Sequence, residues 1–122
     1  MARKTVLIID DNKNLVNGVE MIIEFQMESD IKVLTAYDGE EGLKLALRKH
    51  PQLILLDLNI PKLNGYRLLQ KFQERQIDSR VLLLTGGDQV PTLEGVNGYL
   101  TKPIRPDQLI QAINRELKGG QS

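Results

Sequence analysis

Three short runs of aliphatic residues recur along the chain, and each is followed at once by a polar side chain: VLII at 6–9, LILL at 53–56 and VLLL at 81–84. Runs of this kind are typical of strands buried on both faces of a parallel sheet. Two other segments, IKVLTA at 31–36 and GYLT at 98–101, mix polar and apolar residues, which suits edge strands. The pattern therefore predicts five strands, three of them central.

The segments between and after these strands have apolar residues three or four positions apart, which is the spacing of one face of a helix. The predicted apolar faces are Leu15, Val19, Ile22 and Ile23; Leu43, Ala46 and Leu47; Leu68, Leu69 and Phe72; and Leu109, Ala112, Ile113 and Leu117. Boundary signals support these helices, since Asp38-Gly39 opens the second, His50-Pro51 ends it and Pro106 opens the last.

Alternating strands and helices predict an α/β fold, because parallel strands need right-handed helical crossovers. With the three aliphatic strands inside, the sheet is five-stranded, parallel and doubly wound, in the flavodoxin-like order 2-1-3-4-5. We expect one domain over residues 1–122, with its core at about 4–117. In such sheets, ligands bind beyond the carboxyl ends of the strands where the winding reverses, here between the first and third strands.

The segment between the fourth and fifth strands, GGDQVPTLEGVNG at 86–98, is poor in helix formers. A glycine inside a helix costs about 1 kcal/mol and a proline about 3 kcal/mol. At best a short turn of helix from Thr92 to Val96 would survive. We therefore expect a shortened or missing fourth helix.

Composition narrows the class of function. Sixteen basic and sixteen acidic residues give a net charge of zero, so nothing indicates binding to nucleic acid or to an acidic membrane surface. Cysteine is absent, which excludes disulfides, thiol catalysis and cysteine zinc sites. The apolar run at 6–9 is too short for a signal peptide or a membrane span. We expect a cytoplasmic protein that does not associate with membranes.

Polar side chains follow the predicted strands where their carboxyl ends meet: Asp10, Asp11, Asp57, Thr85 and Lys102. Three neighbouring carboxylates repel one another unless a cation lies among them or one is protonated. Oxygen ligands without histidine or cysteine favour Mg2+ or Mn2+ over zinc. Lys102 and Thr85 could hold the oxygens of a phosphoryl group on Asp57, which makes Asp57 a candidate nucleophile.

Simpler interpretations exist for each residue alone. Asp10 and Asp11 could cap a helix, Asp57 and Thr85 could belong to turns, and Lys102 could be a solvated surface lysine. The coincidence of complementary groups after four strands favours the phosphoryl site. The single histidine, His50, is expected to be structural or solvated.

Four motifs together resemble the receiver domain of two-component response regulators, of the single-domain, chemotaxis-regulator-like kind, from about Lys4 to Leu117. The motifs are LIIDDN at 7–12, LLDLNIP at 55–61 with Gly65 after it, LLLT at 82–85 and YLTKP at 99–103. The resemblance implies that Asp57 accepts phosphate from the phosphohistidine of a sensor kinase or phosphotransfer protein, with self-catalysed transfer and slow autodephosphorylation.

The resemblance also implies a role for each neighbouring residue. Asp10, Asp11, Asp57 and the backbone carbonyl of Asn59 would bind Mg2+, while Thr85 and Lys102 would contact the phosphoryl group. Thr85 and Tyr99 would form the switch that changes a protein-interaction surface, and Lys102-Pro103 would be a cis peptide. The first helix near Asn14, Leu15 and Gly18, with Pro103 and Ile104, resembles the kinase-docking surface.

The resemblance leaves the output side open. Many receivers dimerise or bind targets through the fourth helix, fifth strand and fifth helix. If the fourth helix is short or missing, we expect signalling to a downstream protein, or to an output domain outside this chain, through another or an atypical, flexible surface.

Two other classes of protein share parts of this pattern. A phosphohydrolase of the haloacid-dehalogenase type needs an acid two residues after the nucleophile, where this chain has Asn59. A pseudo-receiver that acts as a phosphorylation-independent interaction module stays open from the sequence.

Overall fold

A computed structural model describes residues 4–27, 30–87 and 93–119. The described elements alternate as predicted. They are β1 (Lys4–Ile9), α1 (Lys13–Gln26), β2 (Ile31–Ala36), α2 (Gly39–Lys49), β3 (Leu53–Asp57), α3 (Gly65–Glu74), β4 (Arg80–Thr85), β5 (Gly98–Thr101) and α4 (Pro106–Gly119). The predicted starts of α2 and α4 and the end of α2 at His50 are confirmed.

The five strands form one parallel sheet in the order β2-β1-β3-β4-β5, which confirms the predicted fold. Its register decides which strand ends become neighbours. Ile9 at the end of β1 pairs with Leu56 of β3, and Asp57 pairs with Leu84. The residue after β1 therefore lies beside Asp57, at the carboxyl edge where the winding reverses.

Each face of the sheet is covered by two helices. Alternate strand residues point to opposite faces, so Val6 and Ile8 join a core with residues of α1 and α4, while Leu7 and Ile9 join a core with residues of α2 and α3. The central strands are buried on both sides, as their uninterrupted aliphatic runs predicted.

Helix α2 differs from its predicted face. Gly42 and Ala46 are its buried residues in the helix interior, and a Cβ at Gly42 would lie 2.7 Å from Ile9 Cδ1. Leu45, which lies outside the predicted face, is half-buried and packs against this core, as does Leu43. A glycine facing the sheet gave no apolar signal in the sequence.

The connection between β4 and β5 carries no helix in its described parts, residues 86–87 and 93–97. Of the predicted turn of helix, Thr92 lies outside the described residues, and Glu94 and Gly95 form a turn. Asn97 anchors the connection instead. Its backbone N–H donates to Val81 O and its side-chain oxygen accepts from Val81 N, both at 2.8 Å. The expectation of a shortened or missing helix thus holds for the described residues.

No helix among the described residues has both the length and the apolar character needed to cross a membrane.

Candidate functional site

Three charged side chains from three strand ends meet at the carboxyl edge of the sheet. Asp10 follows β1 and is fully buried, Asp57 ends β3 and is 8% exposed, and Lys102 follows β5. Lys102 Nζ lies 3.0 Å from Asp10 Oδ2 and 3.0 Å from Asp57 Oδ2. Residues 45 positions or more apart in the sequence thus share one ion-pair network.

Asp11 adds a third, exposed carboxylate. One oxygen each from Asp10, Asp11 and Asp57 lies within 4.8 Å of the others. Among the described ion pairs, Lys102 is the single cation that contacts this group, so the cluster keeps a net negative charge. Like charges this close are stable only with further positive charge or a shared proton. The oxygen-only set fits a hard divalent cation.

Backbone amides orient the two buried carboxylates. Asn12 N donates to Asp10 Oδ1 at 2.9 Å, and Asn59 N donates to Asp57 Oδ1 at 3.1 Å. Each turn ties one oxygen to the backbone two residues later and leaves the other facing Lys102. Asn12, rather than Asp10 or Asp11, caps α1, because its side chain accepts from Leu15 N at 3.1 Å. The capping interpretation of the aspartate pair is therefore wrong.

Two buried polar atoms of the site lack a hydrogen bond within the described structure: Asp10 Oδ2 and Thr85 Oγ1. Asp10 Oδ2 is close to Lys102 Nζ, but it accepts no hydrogen bond of acceptable geometry there. Asp10 Oδ2 is paired with the Lys102 ammonium, whereas the Thr85 hydroxyl is unpaired, which costs about 1–3 kcal/mol. The Thr85 hydroxyl is therefore available to a phosphoryl oxygen, and Asp10 Oδ2 could contact a cation in addition to Lys102.

Electrostatics hold Lys102 in its charged form. Partial burial acts to lower the pKa of its ammonium, but the contacts with Asp10 and Asp57 outweigh burial and raise that pKa above 10.5. The backbone N–H of Lys102 also donates to Thr85 O at 2.6 Å, which ties the end of β4 to the lysine. The Lys102-Pro103 peptide is cis, as expected.

The loop after Asp57 is fixed between two helix N-termini. A Cβ at Gly39 would lie 1.7 Å from Leu63 O, and one at Gly65 would lie 2.5 Å from Leu58 Cα. Gly39 N donates to Pro61 O at 3.2 Å, and Gly65 N donates to Leu58 O at 2.9 Å. Only glycine allows these backbone approaches. The segment that carries Asn59 is thereby held beside the carboxylate cluster.

The remaining predicted residues lie apart from the carboxylates. Tyr99 is half-buried in β5 and packs against the core on the α2 and α3 face. His50 caps α2 in a left-handed conformation, at the opposite edge of the sheet. Sequence reasoning missed Glu116, which is 4% exposed in α4 and pairs with Arg80 Nε at 2.6 Å and Arg115 Nε at 3.1 Å.

The fold and the site together define a doubly wound α/β protein in which three carboxylates cluster at the topological switch point of the sheet. The family described as response regulator receiver domain matches residues 6–114 of the chain. The chain belongs to this family, whose members are the receiver domains of two-component systems.

Individual relatives agree with this assignment. The chain is 38% identical to the nitrate/nitrite response regulator NarL of Escherichia coli over 121 residues, covering 94% of the chain and 55% of NarL. It is 35% identical to the alkaline phosphatase synthesis regulator PhoP of Bacillus subtilis, covering 94% of the chain and 49% of PhoP. The chain therefore spans about half the length of these curated relatives.

Solved structures show the same fold. The Francisella response regulator 1452 receiver domain superposes with a TM-score of 0.84 at 28% identity, covering 98% of this chain and 100% of that one. A CheY-like receiver domain from Methanospirillum hungatei superposes with a TM-score of 0.83 at 26% identity, covering 97% and 96%. Receiver domains generally use Mg2+ and interact with histidine kinases or phosphotransfer proteins.

Proposed function

We propose that this receiver accepts a phosphoryl group on Asp57 from a phosphohistidine donor in a Mg2+-dependent reaction, and that phosphorylation switches a protein-interaction surface. One observation carries the proposal. Asp57 is a nearly buried carboxylate whose Oδ2 lies 3.0 Å from an ammonium and whose neighbours include two further carboxylates within 4.8 Å. This is the charge arrangement that phosphoryl transfer to a carboxylate requires.

Asp57 is the nucleophile. One carboxylate oxygen forms a bond to phosphorus as the bond between phosphorus and the donor nitrogen breaks, giving an acyl phosphate. Asn59 N holds Asp57 Oδ1 at 3.1 Å, so the carboxylate is positioned before the donor arrives. Lys102 lies within reach of the incoming phosphoryl oxygens and stays charged because its pKa is raised.

Asp10, Asp11, Asp57 and the Asn59 carbonyl would hold Mg2+, which would neutralise phosphoryl charge. The buried Asp10 oxygen without a hydrogen bond supports this assignment. Slow loss of the phosphoryl group to water would reset the protein.

Thr85 and Tyr99 would transmit the charge change. The buried Thr85 hydroxyl has no hydrogen-bond partner among the described residues, so a phosphoryl oxygen on Asp57 would offer it one. Thr85 pairs with Thr101, which lies two residues after Tyr99 in β5. A movement of Thr85 would therefore displace β5 near Tyr99. Tyr99 would turn inward in response.

A kinase or phosphotransfer protein would dock beside the pocket. An apolar groove of about 330 Å³ lies between α1 and the segment that follows β5. Leu15, Gly18, Pro103 and Ile104 line it. Its position next to Asn12 would bring a donor histidine close to Asp57. A cytoplasmic location is part of the same proposal.

Intact mass after incubation with Mg2+ and a small acyl phosphate tests the proposed function. We expect the gain of one phosphoryl group, lost when Mg2+ is chelated and lost in Asp57→Asn. Asp30→Asn, at an exposed aspartate before β2, is the matched control and should be phosphorylated like the wild type. No gain in a folded wild-type protein, with the acyl phosphate or with phosphoramidate, would instead favour a phosphorylation-independent interaction module.

A further inference from the structure

A cleft of about 210 Å³ lies against Asp57 on the side of β4. Asn59 and Tyr66 line one wall, and Thr85, Gly86 and Gly87 line the other. Asp57 and Asn59 of the proposed metal-binding group line this cleft, whereas Asp10 and Asp11 do not, so the cleft adjoins that group at Asp57. A molecule in the cleft would lie beside Asp57 without contacting Asp10 or Asp11.

The two walls differ in what they offer. A Cβ built at Gly86 would meet nothing within 4 Å, and the following residue is also glycine, so this wall supplies backbone and open space. Tyr66 supplies the single aromatic ring among the described lining residues, and it is 52% exposed. The cleft therefore pairs an open glycine wall with an aromatic wall.

The position of Tyr66 relative to Asp57 is fixed by packing. Tyr66 lies in the first turn of α3, after the cap Asn64 and after Gly65. The backbone of Gly65 approaches Leu58 so closely that a Cβ would lie 2.5 Å from Leu58 Cα. Leu58 directly follows Asp57 in the chain. The start of α3, and with it the backbone of Tyr66, is thereby fixed relative to the nucleophile.

We propose that Tyr66 and the Gly86-Gly87 backbone form the subsite for the leaving group of the phosphoryl donor, and that this subsite favours a flat heteroaromatic ring, the imidazole of a phosphohistidine. The inference rests on the proposed function. Tyr66 is a specificity residue of that reaction, because its ring contacts the group that departs.

In-line transfer puts the phosphoryl group next to Asp57 and the leaving group beyond it. The Asp57 oxygen and the departing nitrogen lie roughly in line through phosphorus, so the ring leaves on the side away from the carboxylate. The new bond joins oxygen to phosphorus, and the electron pair of the broken bond returns to the ring nitrogen. The donor reacts with its second ring nitrogen protonated, so the returning electron pair neutralises the ring and imidazole departs neutral. A neutral aromatic ring stacks on the face of a tyrosine.

Two small donors with the same phosphorus–nitrogen bond isolate the role of the ring. Phosphoimidazole has a ring as its leaving group, whereas phosphoramidate has ammonia. The rate of phosphorylation is measured by intact mass with each donor, for wild type, Tyr66→Ala and Tyr66→Phe. Since a stacked aromatic pair contributes about 0.5–1.5 kcal/mol, Tyr66→Ala should slow phosphorylation by phosphoimidazole about two- to thirteenfold relative to phosphorylation by phosphoramidate. Tyr66→Phe should keep the wild-type ratio.

Three other results would each overturn the inference. An equal loss of rate with both donors in Tyr66→Ala would mean that the residue acts on Asp57 or on the fold. If Tyr66→Ala reacts with both donors at the wild-type rates, the Tyr66 ring does not contact the leaving group. Failure of both donors with every variant, including wild type, would overturn the proposed function as well, and this outcome is distinct from the first two.

Discussion

At the scale of single residues, the three carboxylates of the pocket differ in burial. Asp10 and Asp57 are buried, whereas Asp11 is exposed. Substitution of Asp11 should therefore change metal binding with little effect on the metal-free fold. This separation makes Asp11 the most informative position for testing the proposed Mg2+ site.

We predict that Mg2+ raises the Tm of the wild type and that Asp11→Asn loses most of this gain. A ligand at a hundred times its Kd stabilises a protein by about 2.7 kcal/mol. Thermal unfolding with Mg2+ and with a chelator measures the effect. Asp107→Asn, at an exposed aspartate in the first turn of α4, is the control and should keep the wild-type gain. A full gain in Asp11→Asn would contradict the assignment.

Asp38 gives a prediction about pH. Glu41 N donates a hydrogen bond to Asp38 Oδ1 at 2.8 Å, and this bond lowers the pKa of the Asp38 carboxyl below its ordinary value. Partial burial acts to raise that pKa, and the nearby Lys62 ammonium lowers it further. A pKa lowered in the folded state means that the ionised cap stabilises the protein above the unfolded pKa, and that this contribution is lost as the pH falls through the folded pKa.

Asp38→Asn should cap α2 without titrating, since asparagine is an equally good cap. The free energy of unfolding of wild type relative to Asp38→Asn should therefore decline as the pH falls from about 5 to about 2. Urea denaturation of both proteins across this range measures the difference. A difference that stays constant with pH would contradict the prediction, because it would mean that the Asp38 carboxyl has the same pKa in the folded and unfolded protein.

At the scale of elements, the N-terminus of α2 supports the loop that carries Asn59, through Gly39. We predict that Gly39→Ala is destabilising, because its Cβ would overlap the backbone carbonyl of Leu63, at 1.7 Å. It should also weaken Mg2+ binding, because the loop beside Asp57 must shift. Urea denaturation and a Mg2+ titration measure the two effects.

Gly18→Ala is the matched control in α1. A Cβ at Gly18 meets nothing within 4 Å, and alanine is favoured over glycine inside a helix by about 1 kcal/mol. This variant should be more stable than the wild type. If Gly39→Ala were as stable as Gly18→Ala, the loop would not depend on the close approach at Gly39.

The sequence predicted the elements better than their contacts. The three aliphatic runs predicted the central strands, because strands buried on both faces are uninterrupted, and the two mixed segments predicted the edge strands, which together gave the strand order. Leu45 was missed because the approach of α2 depends on Gly42, which carries no apolar signal. Glu116 was missed because a glutamate in a helix is usually exposed, and its partner Arg80 lies 36 positions away.

The candidate site was predictable for a similar reason. Asp10, Asp57 and Lys102 each directly follow or end a strand, so the topology alone brings them to one edge. The Asn12 cap and the closeness of Gly39 to Leu63 were not predictable, because several polar residues compete for the cap and the contact joins distant loops. Residues placed by strand register were predicted, whereas those placed by loop packing were not.

At the scale of the whole molecule, the connection between β4 and β5 bears on which surface the protein uses for output. Its described parts, 86–87 and 93–97, carry no helix on the face that this connection forms with β5 and α4. We propose that the phosphorylated protein does not dimerise through this face. Sedimentation velocity with and without a phosphoryl donor should give the same monomer, with Asp57→Asn as the control.

The contradictory result is a dimer that forms only on phosphorylation and that depends on this face. Gln111 is exposed on α4 and lines a groove with Tyr99. A phosphorylation-dependent dimer that Gln111→Arg abolishes would mean that the usual output surface is in use although the described parts of the connection carry no helix.

The central claim is that Asp57 carries the phosphoryl group. The most direct measurement is borohydride reduction of the phosphorylated protein, which converts an aspartyl phosphate into homoserine, followed by peptide mass spectrometry. The account predicts homoserine at position 57 and unchanged aspartate at positions 10 and 11. Homoserine at Asp10 or Asp11, or at no aspartate of a protein that has gained a phosphoryl group, would contradict it.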